Sequence, residues 1–232
     1  LASDRIMKIF DYPLMLIART FLCALYLCAV PFALLYLGLT PSSSGRLRYV
    51  IYLLINFTFD IVATLIAPIL PLFAKPSLGN SDNNNARLYE PRLPAWLSWF
   101  QTPDNSLYGD KGWQTVHYPN YKSYLGQVLW LVRNSSYGLI YGPLSAKFDR
   151  IGDIASVGNP RLDKRNPDHA GQSFTAQYGD YFQWMKIIRV PMLKRSFYVN
   201  IGWLFDPFVE NPQTTNAHRA PMKFSIKPGA KW

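Results

Sequence analysis

Two carboxylates six residues apart, Asp104 and Asp110, lie in the densest polar segment of the chain, FQTPDNSLYGDKGWQ at residues 100–114. Carboxyl groups on opposite sides of a substrate can act as general acid and general base when the environment raises the pKa of one of them. His117, seven residues after Asp110, is a third candidate for proton transfer. One interpretation of the segment is therefore the active site of a hydrolase.

A metal site is a second interpretation, and the spacing of the oxygen ligands argues against it. An EF-hand calcium loop needs ligands at alternating positions and a distal bidentate carboxylate, whereas Asp104, Asn105 and Ser106 are consecutive. The three histidines are scattered, and the chain has no His-x3-His or Cys-x2-Cys pair at zinc spacing. We therefore predict no metal site, and no sequence motif indicates a cofactor.

A structural turn is the third interpretation of this segment. Pro103 fixes its own φ angle, Asn105 tolerates the left-handed region, and Gly109 permits a positive φ. Thr102 and Asp104 can accept hydrogen bonds from nearby backbone N–H groups. In this interpretation the segment fixes the backbone or forms part of a partner site, and it performs no reaction.

The composition of the whole chain indicates a protein that lies partly in lipid. Hydrophobic residues make up 49% and charged residues only 16%, against about 25% charged residues in an ordinary soluble domain. Of the 24 lysines and arginines, 18 follow residue 75, and the net charge is +10. A basic domain beside a membrane can face anionic lipid headgroups or nucleic acid, although dispersed basic residues argue against direct readout of a nucleic acid.

Two apolar runs predict the membrane anchor. Residues 20–39 contain no charge, and residues 49–74 contain one. At about 1.5 Å per residue, each run is long enough to cross the hydrocarbon layer as a helix. The segment TPSSSGRLR between them has turn chemistry. We therefore predict transmembrane helices at about 14–39 and 49–74 that form an antiparallel hairpin.

A polar stripe runs along the second of these helices. Asn56, Asp60 and Thr64 are spaced four residues apart, so they lie on one helical face. An ionisable residue at this depth is costly, and we expect the stripe to face protein and to hydrogen-bond a neighbouring helix. Pro31 frees a carbonyl near Leu27, to which a protonated Asp60 could donate. A proton or ion relay is the alternative hypothesis.

Beyond the anchor, the patterns predict a small α+β domain. Residues 1–75 form the anchor, residues 76–93 form a polar linker, and residues 94–232 form the membrane-proximal domain. PAWLSWFQ at 94–101 is either a short helix at the membrane interface or a patch on the domain's own core. Residues 120–138 show helical periodicity. The stretches YFQWMKIIRV, SFYVNIGWLF and PMKFSIK alternate with period two, which predicts a C-terminal antiparallel sheet.

Four motifs in this domain resemble a known family. The order F-x-TPDN-x-L-x-GD, WL-x-RN-x-x-YG, GW and FSI-x-P is similar to that of uncharacterised small membrane proteins of tailed phages and prophages, over about residues 96–228. The resemblance implies no reaction, but it implies that the motif residues act as one unit. An ion pair from Arg133 to Asp104 or Asp110 would then be a structural latch. The unit comprises Asp104, Asn105, Gly109, Asp110, Arg133, Asn134, Tyr137 and Gly138.

Three functions are consistent with these patterns. The first is a non-catalytic phage membrane protein that binds a partner or itself, as a virion or host-membrane component or a superinfection-exclusion factor. The second is a membrane-bound hydrolase that uses Asp104, Asp110 and His117. The third is contact with nucleic acid by the basic domain. The count of basic flanking residues favours both termini in the cytoplasm. The resemblance to phage and prophage proteins implies the inner membrane of a host, with a virion location as the alternative.

Overall fold

The computed structural model describes residues 13–14, 16–21, 24–25, 28, 43–78, 89–212 and 219–231. The chain divides into two compact units. The first unit comprises residues 1–33 and 54–139, and the second comprises residues 34–53 and 140–232. The architecture is α+β, as predicted.

One long apolar helix, α1 (Ser43–Ile66), contributes its N-terminal part to the second unit and its C-terminal part to the first. Pro68 and Pro71, which lack a backbone N–H, follow the helix and limit its extension. Residues 44–66 are long and apolar enough to cross a membrane, and 28% of the most apolar stretch is buried inside the protein. The second predicted span is therefore confirmed as a helix, but its bounds are Ser43–Ile66 and not 49–74. The helix begins inside TPSSSGRLR, the segment predicted as a turn, and it ends before Pro68.

The first predicted span lies mostly outside the described residues. Those of its residues that are described, between 13 and 28, are helical. Leu14, Ile17, Phe21 and Leu25 expose between 49% and 67% of their surface. Because these side chains follow a helical spacing, they form one apolar stripe. The two-helix hairpin as a whole stays a prediction.

The first unit continues after α1 with short elements. A 3-10 helix (Leu70–Phe73) leads into strand β1 (Lys75–Leu78), which pairs antiparallel with β2 (Tyr89–Arg92) inside the segment predicted as a linker. A second 3-10 helix (Ala95–Phe100) precedes the polar segment. The predicted helix at 120–138 is divided into a 3-10 turn and two helices. The remaining helical elements are α2 (Lys111–Val116), the 3-10 turn Asn120–Lys122, α3 (Tyr124–Arg133) and α4 (Tyr137–Tyr141).

A hydrophobic core holds these short elements together. Leucines from the 3-10 helices and from the polar segment pack against α3, and their side chains are at most 7% exposed. Truncating one such leucine typically costs about 2–5 kcal/mol. The cluster therefore fixes the backbone on which the polar segment is built. Its members are Ala67, Leu70, Leu93, Leu97, Leu107, Val128, Leu131 and Val132.

The second unit is built on a five-stranded antiparallel sheet, which confirms the predicted sheet. Its strands are, in spatial order, β4 (Ala155–Gly158), β5 (Ser173–Tyr178), β6 (Tyr181–Val190), β7 (Arg195–Trp203) and β9 (Met222–Lys231). A two-residue ladder joins β3 (Ala146–Lys147) to β8 (Arg219–Ala220). The three predicted strands correspond to β6, β7 and β9, whereas the sequence patterns did not predict β4 and β5. A short helix, α5 (Asp206–Glu210), follows β7.

The N-terminal part of α1 covers one end of this sheet. The Tyr49 ring meets the rings of Phe182 and Trp203 edge-on, with centroids 5.4 and 5.5 Å away. The Tyr49 hydroxyl donates to the carbonyl oxygen of Lys223 at 2.8 Å. The Trp203 indole N–H donates to the carbonyl of Leu144 at 2.8 Å. The beginning of α1 is therefore part of the hydrophobic core of the sheet unit.

Candidate functional site

An ion pair occupies the middle of the polar stripe on α1. Arg19 donates from Nη1 to Oδ1 of Asp60 at 2.6 Å, and their side chains are only 19% and 16% exposed. The hydroxyl of Ser135 contacts both the Arg19 guanidinium and the Asp60 carboxylate. Thr64 donates from its hydroxyl to the carbonyl of Asp60 at 2.7 Å. Asp60 is therefore neutralised by a partner 41 residues away in the chain.

The polar stripe lies opposite an apolar face. Thr64 is fully buried, and Asn56 and Asp60 are half-buried. At 100° per residue these three residues point away from a row of exposed apolar side chains on the same helix. One side of α1 therefore contacts the rest of the protein, and the other side exposes apolar side chains. The exposed row is Leu47, Ile51, Leu54, Ile55, Val62 and Leu65, each at least 44% exposed.

Arg19 and Ser135 were not identified as partners of Asp60 from the sequence. The proposed acceptor for a protonated Asp60, the carbonyl near Leu27, lies outside the described residues. The ion pair gives Asp60 a partner of opposite charge on the protein-facing side of α1, and the proton or ion relay stays an untested hypothesis. The signal available in the sequence was the position of Arg19 directly before the apolar run at residues 20–39.

The turn between α3 and α4 positions Ser135. Asn134 donates from its side-chain amide to the carbonyl of Trp130 at 3.1 Å, and its own carbonyl accepts from the N–H of Tyr137 at 3.1 Å. A Cβ atom on Gly138 would lie 2.5 Å from the carbonyl oxygen of Ser98. The motif RN-x-x-YG therefore shapes a tight turn whose first serine reaches Asp60.

The polar segment at 100–114 forms turns that fix the backbone. Asp110 is the N-cap of α2, and its carboxylate accepts from the N–H of Trp113 at 2.7 Å. The Ser106 hydroxyl accepts from the N–H of Tyr108 at 3.2 Å. Gly109 has φ +80°, and a Cβ atom there would lie 2.5 Å from Cδ1 of Trp113. The contacts of Gly109, Ser106 and Asp110 agree with a structural turn. Thr102 differs from the prediction, because its hydroxyl donates to the carbonyl of Asn105 at 3.4 Å.

The latch between Arg133 and the acidic residues is not formed. Among the described residues, no ion pair joins Arg133 to Asp104 or to Asp110. The Arg133 guanidinium lies over the rings of Trp113 and Trp130, 5.5 and 6.0 Å from their centroids. A planar guanidinium stacks well on aromatic rings, and Asp110 is already used as a helix cap.

Arg92 holds the loop instead. Its guanidinium donates to the carbonyl oxygens of Pro103 and Asp104, at 3.2 and 3.0 Å. The side chain of Asp104 is exposed, and Asn105 is half-buried. The loop is therefore held to β2 by hydrogen bonds to its main-chain carbonyls. The Asp104 carboxylate is not part of these hydrogen bonds.

The ring of His117 packs against Trp113, one of the two tryptophans that Arg133 covers. Its ring centroid is 3.8 Å from that of Trp113. Burial, together with the nearby positive charge of Arg133, lowers the pKa of His117 below its ordinary value. Its Nδ1 atom is buried and has no hydrogen-bond partner within the described part of the chain. The neutral imidazole therefore serves as a packing surface for Trp113.

Replacing Asp110 with alanine is expected to lower the free energy of unfolding by about 1 kcal/mol, because the N-cap of α2 is lost. Asp110→Asn, which retains an accepting oxygen, should restore most of that stability. The measurement is chemical denaturation of the detergent-solubilised chain. Asp104→Ala is the matched control and should change the free energy of unfolding by less than about 0.5 kcal/mol. Equal effects of the two alanine changes would contradict the capping role.

The lowered pKa of His117 predicts a dependence of stability on pH. Because the unfolded chain binds the proton more tightly, stability should fall as the pH drops from about 6.5 through the lower folded-state pKa. Thermal unfolding of the wild type and of His117→Gln at pH 7.5 and pH 5 measures this contribution. The variant should lose less stability on acidification. An identical loss in both proteins would show that His117 does not contribute.

Metal ligands are not assembled within the described residues, where no group of three or more His, Cys, Asp or Glu side chains lies together.

Residues 42–232 match the model of a family of unknown function, DUF7338. The match covers most of the chain, so the protein belongs to this family. A search of curated proteins found no match. A search of solved structures found none either.

Proposed function

We propose that this DUF7338 protein is a non-catalytic membrane component that anchors through α1 and presents its basic α+β part to a partner. The observation that carries the proposal is the division of α1 into two faces. Asp60 is ion-paired on the protein-facing side, whereas Val62 and Leu65 expose 45% and 53% of their surface on the other. An exposed apolar row of this length marks a membrane or partner contact.

The charge and the exposed edge strand of the sheet unit favour binding to a protein partner over burial in lipid. Residues 140–232 contain 13 lysines and arginines against seven aspartates and glutamates. The edge strand β4 is exposed along its length, and Val157 within it is 76% exposed. An exposed edge can pair with a strand of another chain. A second copy of this chain or an acidic protein would fit such a surface, and dispersed charge does not favour nucleic acid.

The hydrolase alternative receives no support from the geometry of the described residues. Asp110 caps a helix, and His117 stacks on Trp113. A general acid or base must reach the proton that it transfers, and these groups are already used in other contacts. Asp110 and His117 therefore have structural roles, and the third candidate, the exposed Asp104 carboxylate, has neither of them beside it as a free partner for proton transfer.

The resemblance of the motifs to phage and prophage membrane proteins adds a cellular setting to the proposal. In this setting the protein resides in the inner membrane of the infected host with both termini in the cytoplasm, or in the virion. Assembly with other phage or host proteins, or exclusion of a second infecting phage, would be its role. Lipid and one protein partner are then its two binding partners.

Position 62 should be shielded from water in the membrane. In a Cys23→Ser, Cys28→Ser background, Val62→Cys should react with a membrane-impermeant maleimide far more slowly than Val157→Cys, in membrane fragments open on both faces. The physical reason is that a thiol in hydrocarbon neither ionises nor meets the reagent. If Val62→Cys reacts as fast as Val157→Cys in the membrane fragments, the anchor is refuted.

Native mass spectrometry of the detergent-purified chain tests the second half of the proposal. A defined homo-oligomer or a stable second chain is the expected result. A bare monomer, with no chain co-purifying from infected cells, would refute the binding role and leave the anchor intact.

A further inference from the structure

An exposed aromatic and aliphatic patch lies at the C-terminal end of α1. Ile69 and Leu72 expose 54% and 71% of their surface, and Phe73 exposes 46%. Trp96 and Trp99, on the second 3-10 helix, expose 71% and 52%. The rings of Phe73 and Trp96 meet edge-on, 5.8 Å apart, so the two 3-10 helices form one surface. We call these five residues the interfacial patch.

The second 3-10 helix shows that the exposure is built into the fold. Side chains three residues apart in a 3-10 helix lie above one another. Leu97 and Phe100 therefore share one side, where Leu97 is 7% exposed and Phe100 stacks on Phe59 at 4.7 Å. Trp96 and Trp99 share another side and point away from this core. Packing of Leu97 and Phe100 against the core therefore fixes the 3-10 helix with Trp96 and Trp99 exposed.

The patch is continuous with the apolar face of α1. Val62, Leu65, Ile69 and Leu72 follow one another at intervals of three and four residues, and all are at least 45% exposed. The row extends past the end of α1 at Ile66 and joins the tryptophans through Phe73. If lipid covers the helix, the same lipid surface reaches the patch where the hydrocarbon ends and the headgroups begin.

Positive charge flanks the patch. Strand pairing places Lys75, two residues after Phe73 in the chain, directly opposite Arg92. Like charges opposite each other in a ladder are unfavourable unless an anion offsets them. Arg92 uses its guanidinium on two carbonyl oxygens, and Glu90, the acidic residue of the ladder, is opposite Ser77. A lipid phosphate beside Lys75 would supply the missing negative charge.

We propose that the interfacial patch binds the headgroup layer of the bilayer, with its tryptophans at the boundary of hydrocarbon and water and Lys75 at the phosphates. Tryptophan is favoured at this depth because its ring is apolar and its N–H is polar. The β1–β2 ladder then extends from the membrane surface into water. The inference rests on the proposed function, since it requires α1 to be in the same bilayer.

Depth measurements on the full chain test the patch. The chain, with Cys23→Ser and Cys28→Ser, is labelled with an environment-sensitive fluorophore at Leu72→Cys or at Trp96→Cys and placed in phospholipid nanodiscs. Tyr89→Cys is the matched control, because Tyr89 is 67% exposed and lies at the other end of β2, about 10 Å from Arg92. Val62→Cys marks the anchor itself.

Both patch labels should be quenched by lipids that carry a nitroxide near the headgroup and protected from aqueous iodide, whereas the Tyr89 label should show the reverse. Labels at 72 and 96 as open to iodide as the label at 89 would overturn the inference. If the label at 62 is quenched by deep nitroxides in that case, the anchor stands and only the patch fails. If the label at 62 is also open to iodide, the proposed function fails with it.

Discussion

Replacing Arg19 with methionine should lower the free energy of unfolding by about 3 kcal/mol, because it leaves the Asp60 carboxylate without its buried partner. Ser135 would remain as a hydrogen-bond donor, but a hydroxyl cannot neutralise a charge. For a chain of this length the loss corresponds to a fall in Tm of roughly 6–12 °C. Thermal unfolding in detergent, followed by circular dichroism, gives the measurement.

Two further variants make this result specific. Arg150→Met removes an exposed arginine and should leave the Tm nearly unchanged. Combining Arg19→Met with Asp60→Leu should recover most of the lost stability, because neither charge then remains in the buried site. If Arg19→Met unfolds at the same temperature as Arg150→Met, the ion pair contributes nothing. If the double variant is less stable than Arg19→Met, the ion pair does not stabilise the protein by charge compensation.

Replacing Gly202 with alanine should destabilise the sheet unit by roughly 3–5 kcal/mol, since strain and a clash act together. Gly202 has φ +103°, and a Cβ atom there would lie 2.0 Å from the carbonyl oxygen of Phe182. That carbonyl belongs to the adjacent strand β6, so the sheet backbone would have to move. Chemical denaturation followed by tryptophan fluorescence should detect the change.

Gly171 provides a close control for this substitution. Its φ is +97°, and a Cβ atom would meet nothing within 4 Å. Gly171→Ala therefore carries the backbone strain alone and should cost about 1 kcal/mol. Equal losses for the two alanine variants would show that the contact with Phe182 is unimportant and that only the φ angle matters.

Local patterns predicted those elements whose side chains have a clear period. The apolar run that became α1 and the alternation in β6, β7 and β9 follow directly from one-sided burial. The positive φ of Gly109 followed from turn chemistry. Strand β4 was missed because ASVG is short, lies among Gly, Pro and Asp residues, and is fully exposed at an edge. Without burial, a strand leaves no alternating pattern.

Long-range partners in the candidate site were harder to predict. The Arg19–Asp60 pair joins two helical segments whose contact depends on how they pack, which no local period encodes. Arg133 was assigned an acidic partner because opposite charges attract, but its guanidinium lies on Trp113 and Trp130. The choice between a carboxylate and an aromatic ring depends on which group the fold brings within reach.

The contribution of α1 to the sheet unit has a practical consequence for dissecting the protein. A fragment that begins at residue 94, after the predicted anchor and linker, would lack Tyr49 and Leu53, which are each 1% exposed in the intact chain. The rings of Phe182 and Trp203 that Tyr49 covers would then face water. Such a fragment should aggregate or bind hydrophobic dyes, so solubility trials must retain the start of the helix.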